Sequence, residues 1–316
     1  MLKLKSFLLF SAPLLLLINC RSGPAEVQIP LKVQFVEGEV AARLISADPI
    51  EGYFEYWSPA DARLQMGLAD SVAISLEEYQ QWLSGLPQVW PSELKNKLKN
   101  IWDQVLSECF SRYPNLELAD IPLILTLDKP YGSFVYFTRQ NAVICPISNL
   151  REASREDLLA VMRHELFHLI SRTYLDYREE AYAAIGFVPA PDSLVWPGEL
   201  YARRLQNPDA PFPDYALRVQ EQLFVPIVYA AQSPYDPYNT DHFAEQLRFN
   251  YFQLRGDSLV RPILSTQQVM SLTGGLTDYL LHPEEILADQ FVLLLEQGGP
   301  GENPYLLQLD RLLKGD

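Results

Sequence analysis

The sequence predicts an α+β fold, with a mixed sheet and a long helix in an N-terminal half and a more helical C-terminal half. Three strand-like runs, at 121–127, 133–138 and 142–146, lie before a long helix that begins after Ser154. A second apolar helix begins at Pro283. Strands and helices bury their apolar faces against each other, so we expect two packed halves with a cleft between them.

The first residues of the chain are typical of an export signal. Lys3 and Lys5 form a short basic region, and an apolar run over 7–18 follows it. The run is too short to span a bilayer comfortably, which favours a signal peptide over a membrane anchor. We therefore expect residues 1–19 to be a signal peptide and the mature protein to be exported.

Cys20 directly follows the apolar run, and its position resembles the lipobox of bacterial lipoproteins, in which the cysteine carries a lipid. Asn19 is not the small residue usual before this cysteine, so a secreted or periplasmic protein without a lipid is the alternative. The resemblance implies a lipidated tether over 20–27. It also implies anchoring in the bacterial cell envelope, at the outer membrane or the cell surface.

The net charge limits the classes of partner, and the cysteines raise the question of a disulfide. The chain has 25 basic and 40 acidic residues, for a formal net charge of −15. Phosphates would be repelled, so we expect no nucleic acid and no membrane contact beyond the N-terminal lipid. Export permits a disulfide between Cys109 and Cys145, whereas the apolar run around Cys145 favours a small buried thiol.

The elements between residue 28 and the helix that begins after Ser154 are predicted from the residues that cap or stop them. Between 28 and 72, strand-like runs such as 31–36 alternate with turns. Ser75 and Glu78 form a capping-box pattern for a helix that ends at about Ser84.

A longer helix is expected from about Ser92 to Tyr113, with apolar residues on one face and Pro114 as its stop. The runs 133–138 and 142–146 are then joined by 139–141, a connection of hairpin length.

The second half of the chain is less regular. The region 186–240 is rich in proline and aromatic residues, which predicts long ordered loops between short helices. A hairpin is expected over 246–264, turning at 255–257, where an Arg-Gly-Asp tripeptide is interpreted as a plain turn. The helix that begins at Pro283 is expected to end near Gly298.

His164, Glu165 and His168 form an HExxH motif on the helix after Ser154. Residues four apart lie one turn apart on the same helix face, so both imidazoles can reach one Zn²⁺. Glu165 is rotated by about 100° around the helix, which places it beside a metal-bound water instead of on the metal. The motif predicts a zinc site with Glu165 as the general base.

The motif resembles that of the zincin metallopeptidases, and a downstream pattern resembles the gluzincin type. Glu285 and Asp289 lie four residues apart on the helix that begins at Pro283. The resemblance implies that Glu285 is the third zinc ligand and that Asp289 hydrogen-bonds one ligand histidine. A carboxylate in that position fixes the tautomer and basicity of its histidine. The resemblance further implies a zincin-like fold with the active site in the cleft.

The distance along the chain from His168 to Glu285 is far longer than in thermolysin-like gluzincins. This suggests an inserted, cleft-shaping subdomain over 175–278. It would separate the N-terminal sheet and motif helix, over 28–174, from the C-terminal helices over 279–316.

Several acids and donors remain open as alternatives. The rivals of Glu285 for the third ligand position are Glu284, Glu179 and Glu180. A donor that stabilises the oxyanion is expected, and its candidates are Tyr279, His282 and His242.

We therefore expect a zinc-dependent metallopeptidase with one catalytic ion held by His164, His168 and Glu285. Its substrate would be a peptide or protein, bound extended along the edge strand in the stretch 133–146. Two alternatives are a zinc amidase acting on cell-wall peptide and a non-catalytic surface-binding lipoprotein. The intact Glu165 favours an enzyme over a non-catalytic protein.

Overall fold

The computed structural model describes residues 31–191, 193–211, 213–231 and 243–315. The expected signal peptide, Cys20 with its tether, and His242 lie outside these residues. Within the described ranges, the structure has no helix that is long and apolar enough to cross a membrane.

A mixed four-stranded sheet forms the first layer. Its strands are β1 (Val33–Val36), β2 (Ile121–Thr126), β3 (Phe137–Arg139) and β4 (Ala142–Pro146). The strand order is β1-β2-β4-β3; β1, β2 and β4 run parallel, and β3 pairs antiparallel with β4 at the edge. Apolar clusters cover both faces, so β2 and β4 are buried along their whole length. The α+β class with a mixed sheet is confirmed.

The edge strand is shorter than the expected run over 133–138. Residues 133–134 form a turn, and β3 begins only at Phe137. The hairpin between β3 and β4 is confirmed, with Gln140 at a positive φ of 56° in its turn. Within the described part of the chain, the residues just before β3 have no strand partner, and they line a cleft instead.

Helices fill most of the chain between β1 and residue 72, where repeated strands were expected. The elements are α1 (Gly38–Ser46), a 3₁₀ turn (Tyr53–Glu55) and α2 (Pro59–Met66). The expectation of strands is therefore wrong beyond β1. In α1, Ala41 and Ile45 are buried against the sheet, and their spacing of four follows one helix face instead of one strand face.

The next two helices match their end signals. α3 (Leu76–Ser84) begins behind Ser75, and the side chains of Ser75 and Glu78 form the expected capping box. α4 (Ser92–Arg112) ends just before Pro114, and its buried face packs against the first sheet. Both predicted helices are confirmed.

Cys109 on α4 and Cys145 on β4 are both buried with free thiols. The disulfide that export would permit is therefore not formed, and the buried-thiol interpretation is correct. Burial raises the pKa of the Cys109 thiol to about 12. A thiol in such surroundings is inert, because the thiolate is the reactive species.

The motif helix begins where predicted. A short α5 (Ile147–Glu152) leads to α6 (Arg155–Thr173), and the side chain of Ser154 caps α6 by accepting a hydrogen bond from the N–H of Asp157. α7 (Leu175–Ala184) follows almost immediately. α6 is buried on most sides, as its apolar composition indicates.

A five-stranded antiparallel sheet occupies much of the region expected to be loops. Its strands are β5 (Phe187–Pro189), β6 (Tyr215–Val219), β7 (Gln222–Ala230), β8 (Leu247–Arg255) and β9 (Ser258–Leu264), in that order. Two short helices accompany them, α8 (Gly198–Tyr201) and α9 (Phe243–Gln246). The expectation of loops over 186–240 is wrong for β5, β6 and β7. The described residues between β5 and β6 are mainly loop around the short α8, and 232–240 lie outside the described residues. The central part of β7 is buried on both faces and contains Pro226, so the pattern of a half-exposed strand is missing.

The predicted hairpin over 246–264 is confirmed as β8 and β9. Its turn contains Gly256 at a φ of 64°, so the Arg-Gly-Asp tripeptide is a hairpin turn as interpreted.

The last helices are α10 (Thr266–Leu272), α11 (Pro283–Glu296) and α12 (Pro304–Lys314). The start of α11 at Pro283 and its end before Gly298 are as predicted. Leu166 of α6, Leu217 of β6 and Phe291 of α11 belong to one core cluster. The region 175–278 therefore packs into the same core as the first sheet.

We expect Phe291→Ala to destabilise the protein by about 3–5 kcal/mol, because it leaves a cavity where three helices meet. Phe291 is fully buried, and its ring lies 6.2 Å from that of Tyr113 and 5.7 Å from that of Phe167. Denaturant unfolding measures the change. Phe134→Ala is the matched control, since Phe134 is 79% exposed. Equal losses in the two variants would contradict this packing.

Candidate metal centre

Two helices bring the predicted ligands together. α6 carries His164 and His168 one turn apart, and Glu285 stands in the first turn of α11. The Nε2 of His164 lies 3.0 Å from Glu285 Oε2, and the Nε2 of His168 lies 3.7 Å from the same oxygen. One ligand atom from each residue falls within 4.8 Å of the other two. The structure thus assembles two imidazoles and a carboxylate around one point.

These residues fit a bound divalent cation. Two histidine nitrogens and one carboxylate are a donor set found in catalytic zinc sites with one open position. The Nε2 of His168 is buried and has no hydrogen-bond partner among the described residues. A buried polar atom is costly when it is left unpaired, and a cation at this point would satisfy it.

His164 is held from its other side by Asp289. Its Nδ1 lies 2.9 Å from Asp289 Oδ1, so the contact expected for Asp289 is present. Thr277 donates a hydrogen bond to the second oxygen of Asp289. The carboxylate is thereby fixed and in turn fixes the ring of His164.

His168 is held in the same way by Glu284. Its Nδ1 lies 3.0 Å from Glu284 Oε1, while Ser171 and Tyr182 donate to Glu284 Oε2. Burial alone would raise the pKa of Glu284, but the bond to His168 and the nearby Arg178 outweigh it and lower that pKa to about 2. Glu284 is therefore a buried anion.

The rivals for the third ligand position lie elsewhere. Glu284 faces Nδ1 of His168, on the side away from Glu285 and the point where the ligand atoms meet. Glu179 and Glu180 are exposed on α7. Neighbouring residues on a helix point about 100° apart, so Glu284 and Glu285 reach different nitrogens.

Asn207 and Asp209 also lie at the candidate metal centre, and the sequence did not indicate this role for either residue. Asn207 Nδ2 donates to Glu285 Oε1 at 2.7 Å, and the Asp209 N–H donates to Asn207 Oδ1 at 3.1 Å. Both side chains are buried. Oxygens of Asp209 and Glu165 and a nitrogen of His168 lie within 4.8 Å of one another. The sequence marked this segment only as part of the proline- and aromatic-rich region 186–240, in which ordered loops were expected.

Glu165 is buried, being 3% exposed, and its Oε2 has no hydrogen-bond partner among the described residues. Burial and the nearby carboxylate of Asp209 raise its pKa to about 8, although His168 and His164 counteract them. The group is a carboxyl that can take up and release a proton near neutral pH.

The two motif histidines are basic in this arrangement. Burial lowers the pKa of His164, but hydrogen bonds to Asp289 and Glu285 outweigh it and hold that pKa well above its ordinary value. Burial likewise lowers the pKa of His168, whereas the carboxylates of Asp209 and Glu285 raise it to about 8. Metal ligands must be deprotonated, so a cation would bind here by displacing protons.

The three candidate oxyanion donors have different positions. The ring of Tyr279 lies 5.9 Å from that of His164 at the cleft, and its side chain is 40% exposed. His282 is instead the N-cap of α11, where its Nδ1 accepts a hydrogen bond from the N–H of Glu284 at 3.2 Å. The ring of His282 thus stabilises the helix end through Nδ1, and its candidacy as an oxyanion donor stays a prediction. His242 lies outside the described residues.

A cleft of about 330 Å³ opens beside His164 and Glu165. Asp289 and Tyr279 contribute its other polar groups. Its remaining walls are apolar or aromatic and consist of Phe134, Val135, Tyr136, Ala160, Val161 and Val292. A ligand in this cleft would lie between the metal centre and the stretch that precedes β3.

No protein family model matches the chain, and no curated protein or solved structure matches it either. The function has to be argued from the chemistry of the site, because a fold alone does not imply a function.

We expect Glu285→Ala to abolish stoichiometric zinc binding, and Asp289→Ala to weaken it by about 10–100-fold, because one change removes a ligand and the other a support of His164. Asp289→Asn should be milder, since its amide oxygen can accept the same bond. Zinc competition with a chelator measures the affinities. The matched control is Glu296→Ala, which removes a partly exposed acid from the last turn of the same helix. Full zinc affinity in Glu285→Ala would refute the ligand set.

Proposed function

We propose that the protein is a zinc-dependent metallopeptidase. One observation carries the proposal: His164, His168 and Glu285 converge on one point, and Glu165 lies beside it at an open cleft. The Oε2 of Glu165 has no hydrogen-bond partner among the described residues. A closed structural zinc site would have four protein ligands, whereas this set leaves a position free.

The residues divide the chemistry between them. His164, His168 and Glu285 would hold the ion, and Asp289 and Glu284 orient the two imidazoles. A bound zinc ion supplies Lewis acidity, which lowers the pKa of a water molecule to about 7 and polarises a carbonyl oxygen. Glu165 accepts the proton of the attacking water and later donates it to the leaving amine. Tyr279 lies at the cleft as the candidate donor to the developing oxyanion.

The fold supports a zincin-like architecture of the gluzincin type. A mixed sheet with one antiparallel edge strand precedes the motif helix, and a helix from the second half supplies the third ligand. The cleft lies between these two parts. The region 175–278 contributes Asn207 and Asp209 to the site, in keeping with a segment that shapes the cleft.

The substrate we propose is a peptide or protein in an extended conformation. β3 itself is partly covered, because the N–H of Thr138 donates to Asp209 Oδ1 at 2.7 Å. The stretch 134–136 borders the cleft and forms no strand pairing with any of the described residues. Extended peptides bind unpaired backbone by adding a strand, and apolar pockets beside it select alternate side chains. The apolar cleft walls therefore favour an apolar side chain next to the scissile bond.

We expect Glu165→Gln to retain zinc and to lower kcat by about 10²–10⁴-fold, because the amide cannot accept a proton. The measurement is hydrolysis of an unfolded protein by the purified wild type and variant, with zinc content determined in parallel. Inhibition by a chelator and recovery with added zinc provide the control.

Different outcomes of this experiment favour different functions. Hydrolysis of isolated cell-wall peptide but not of unfolded protein would favour a zinc amidase. Zinc binding without hydrolysis of either substrate would favour a non-catalytic surface lipoprotein. Equal activity in Glu165→Gln and wild type would refute the proposed base.

Export and lipidation belong to the same proposal. Cys20→Ala should move the protein from the membrane fraction to the soluble fraction, because the lipid is the only membrane anchor proposed. Labelled fatty acid should appear in the wild type and be absent from the variant. A soluble, unlabelled wild type would instead indicate secretion without a lipid.

A further inference from the structure

Glu51 connects the N-terminal region to the back of the proposed metal centre. It lies in the turn after α1, and its side chain is only 9% exposed. Its carboxylate accepts two hydrogen bonds from Arg178, at 2.6 Å to Oε1 and 3.2 Å to Oε2. The Nε of Arg172 lies 3.4 Å from the same Oε1. One carboxylate thus pairs with two largely buried guanidinium groups.

Arg178 connects Glu51 to His168 through Ser171 and Glu284. Its Nε donates to Ser171 Oγ at 2.8 Å and lies 3.9 Å from Glu284 Oε2. Ser171 donates to that oxygen at 2.7 Å, and the other oxygen of Glu284 lies 3.0 Å from His168 Nδ1. The position of Arg178 therefore affects the carboxylate that orients one proposed ligand.

Arg172 connects Glu51 to Glu285 through Asp209 and Asn207. Its Nη2 donates to the backbone carbonyl of Asp209 at 3.1 Å and lies 3.6 Å from Asp209 Oδ1. The N–H of Asp209 in turn bonds Asn207, whose amide donates to Glu285 Oε1 at 2.7 Å. This second branch ends on another proposed ligand.

We propose that Glu51 is a positioning residue for the metal ligands, acting through Arg178 on His168 and through Arg172 on Glu285. The inference rests on the proposed metal centre. Among the described residues, no other carboxylate forms ion pairs with both arginines. Residues that support the ligands from behind in this way determine how precisely the ligands are held in the geometry that a metal ion requires.

The test is the zinc affinity of Glu51→Gln in the full chain, measured by competition with a chromogenic chelator. The substitution keeps the size of the side chain and removes its charge, so both arginines lose the negative charge that they share. We expect an affinity about 10–100-fold weaker than wild type, the range for loss of an outer support. The visible spectrum of the cobalt-loaded protein should change as well, because it reports ligand orientation.

Asp310→Asn is the matched control for a merely structural role. Asp310 is also a buried carboxylate paired with an arginine, lying 2.7 Å from Arg112 Nη2. It is on α12 and contacts none of the proposed ligands. This variant should lower the Tm while zinc affinity and the cobalt spectrum stay those of the wild type.

Glu51→Asp keeps the charge on a shorter side chain and should give a loss smaller than that of Glu51→Gln. If Glu51→Gln does not fold, the zinc affinity of Glu51→Asp provides the test. A zinc affinity in the Glu51 variants equal to that of the wild type overturns the inference alone, and so does an equal loss in Asp310→Asn. A wild type that binds no zinc overturns the proposed function together with this inference.

Discussion

The pairing of two histidines with carboxylates, most of them buried, is the interaction on which the rest of the site depends. His164 lies between Asp289 and Glu285, and His168 between Glu284 and the same Glu285. All three acids come from the first two turns of α11. Buried charges are costly unless they are paired, so α6 and α11 have to pack in one register to satisfy them. The aromatic contacts of Phe291 with Tyr113, the residue after α4, and with Phe167 on α6 stabilise that register.

Local contacts fix the start of α11 and thereby position the glutamates that pair with the histidines. Pro283 occupies the first turn, and the His282 ring accepts the N–H of Glu284. A helix N-terminus favours negative charge, which suits adjacent glutamates in its first turn. The cap therefore sets where Glu284 and Glu285 stand, while the wider network of Arg172 and Arg178 balances charge behind them.

The motif residues could be predicted because their relation is local. Spacing of four on a helix puts His164 and His168 on one face, and the same rule joins Glu285 to Asp289. The capping signals of α3, α6 and α11 are equally local, and these helices begin where predicted. The strands β5, β6 and β7 of the second sheet were missed. The central part of β7 is buried on both faces, which removes the alternation that marks a strand.

The sequence by itself determined the motif helix, the facing acidic helix and the identity of the proposed base, since each follows from helix periodicity and end signals. Only the tertiary structure decided that Glu284 supports His168, that His282 caps a helix, and that Asn207, Asp209 and Glu51 stand behind the site. Apart from the cap, in which His282 bonds Glu284 two residues further on, those assignments depend on contacts between residues far apart in the chain. Periodicity reports which face of an element is buried, whereas the partner across that face is chosen by packing and by the need to pair buried charge.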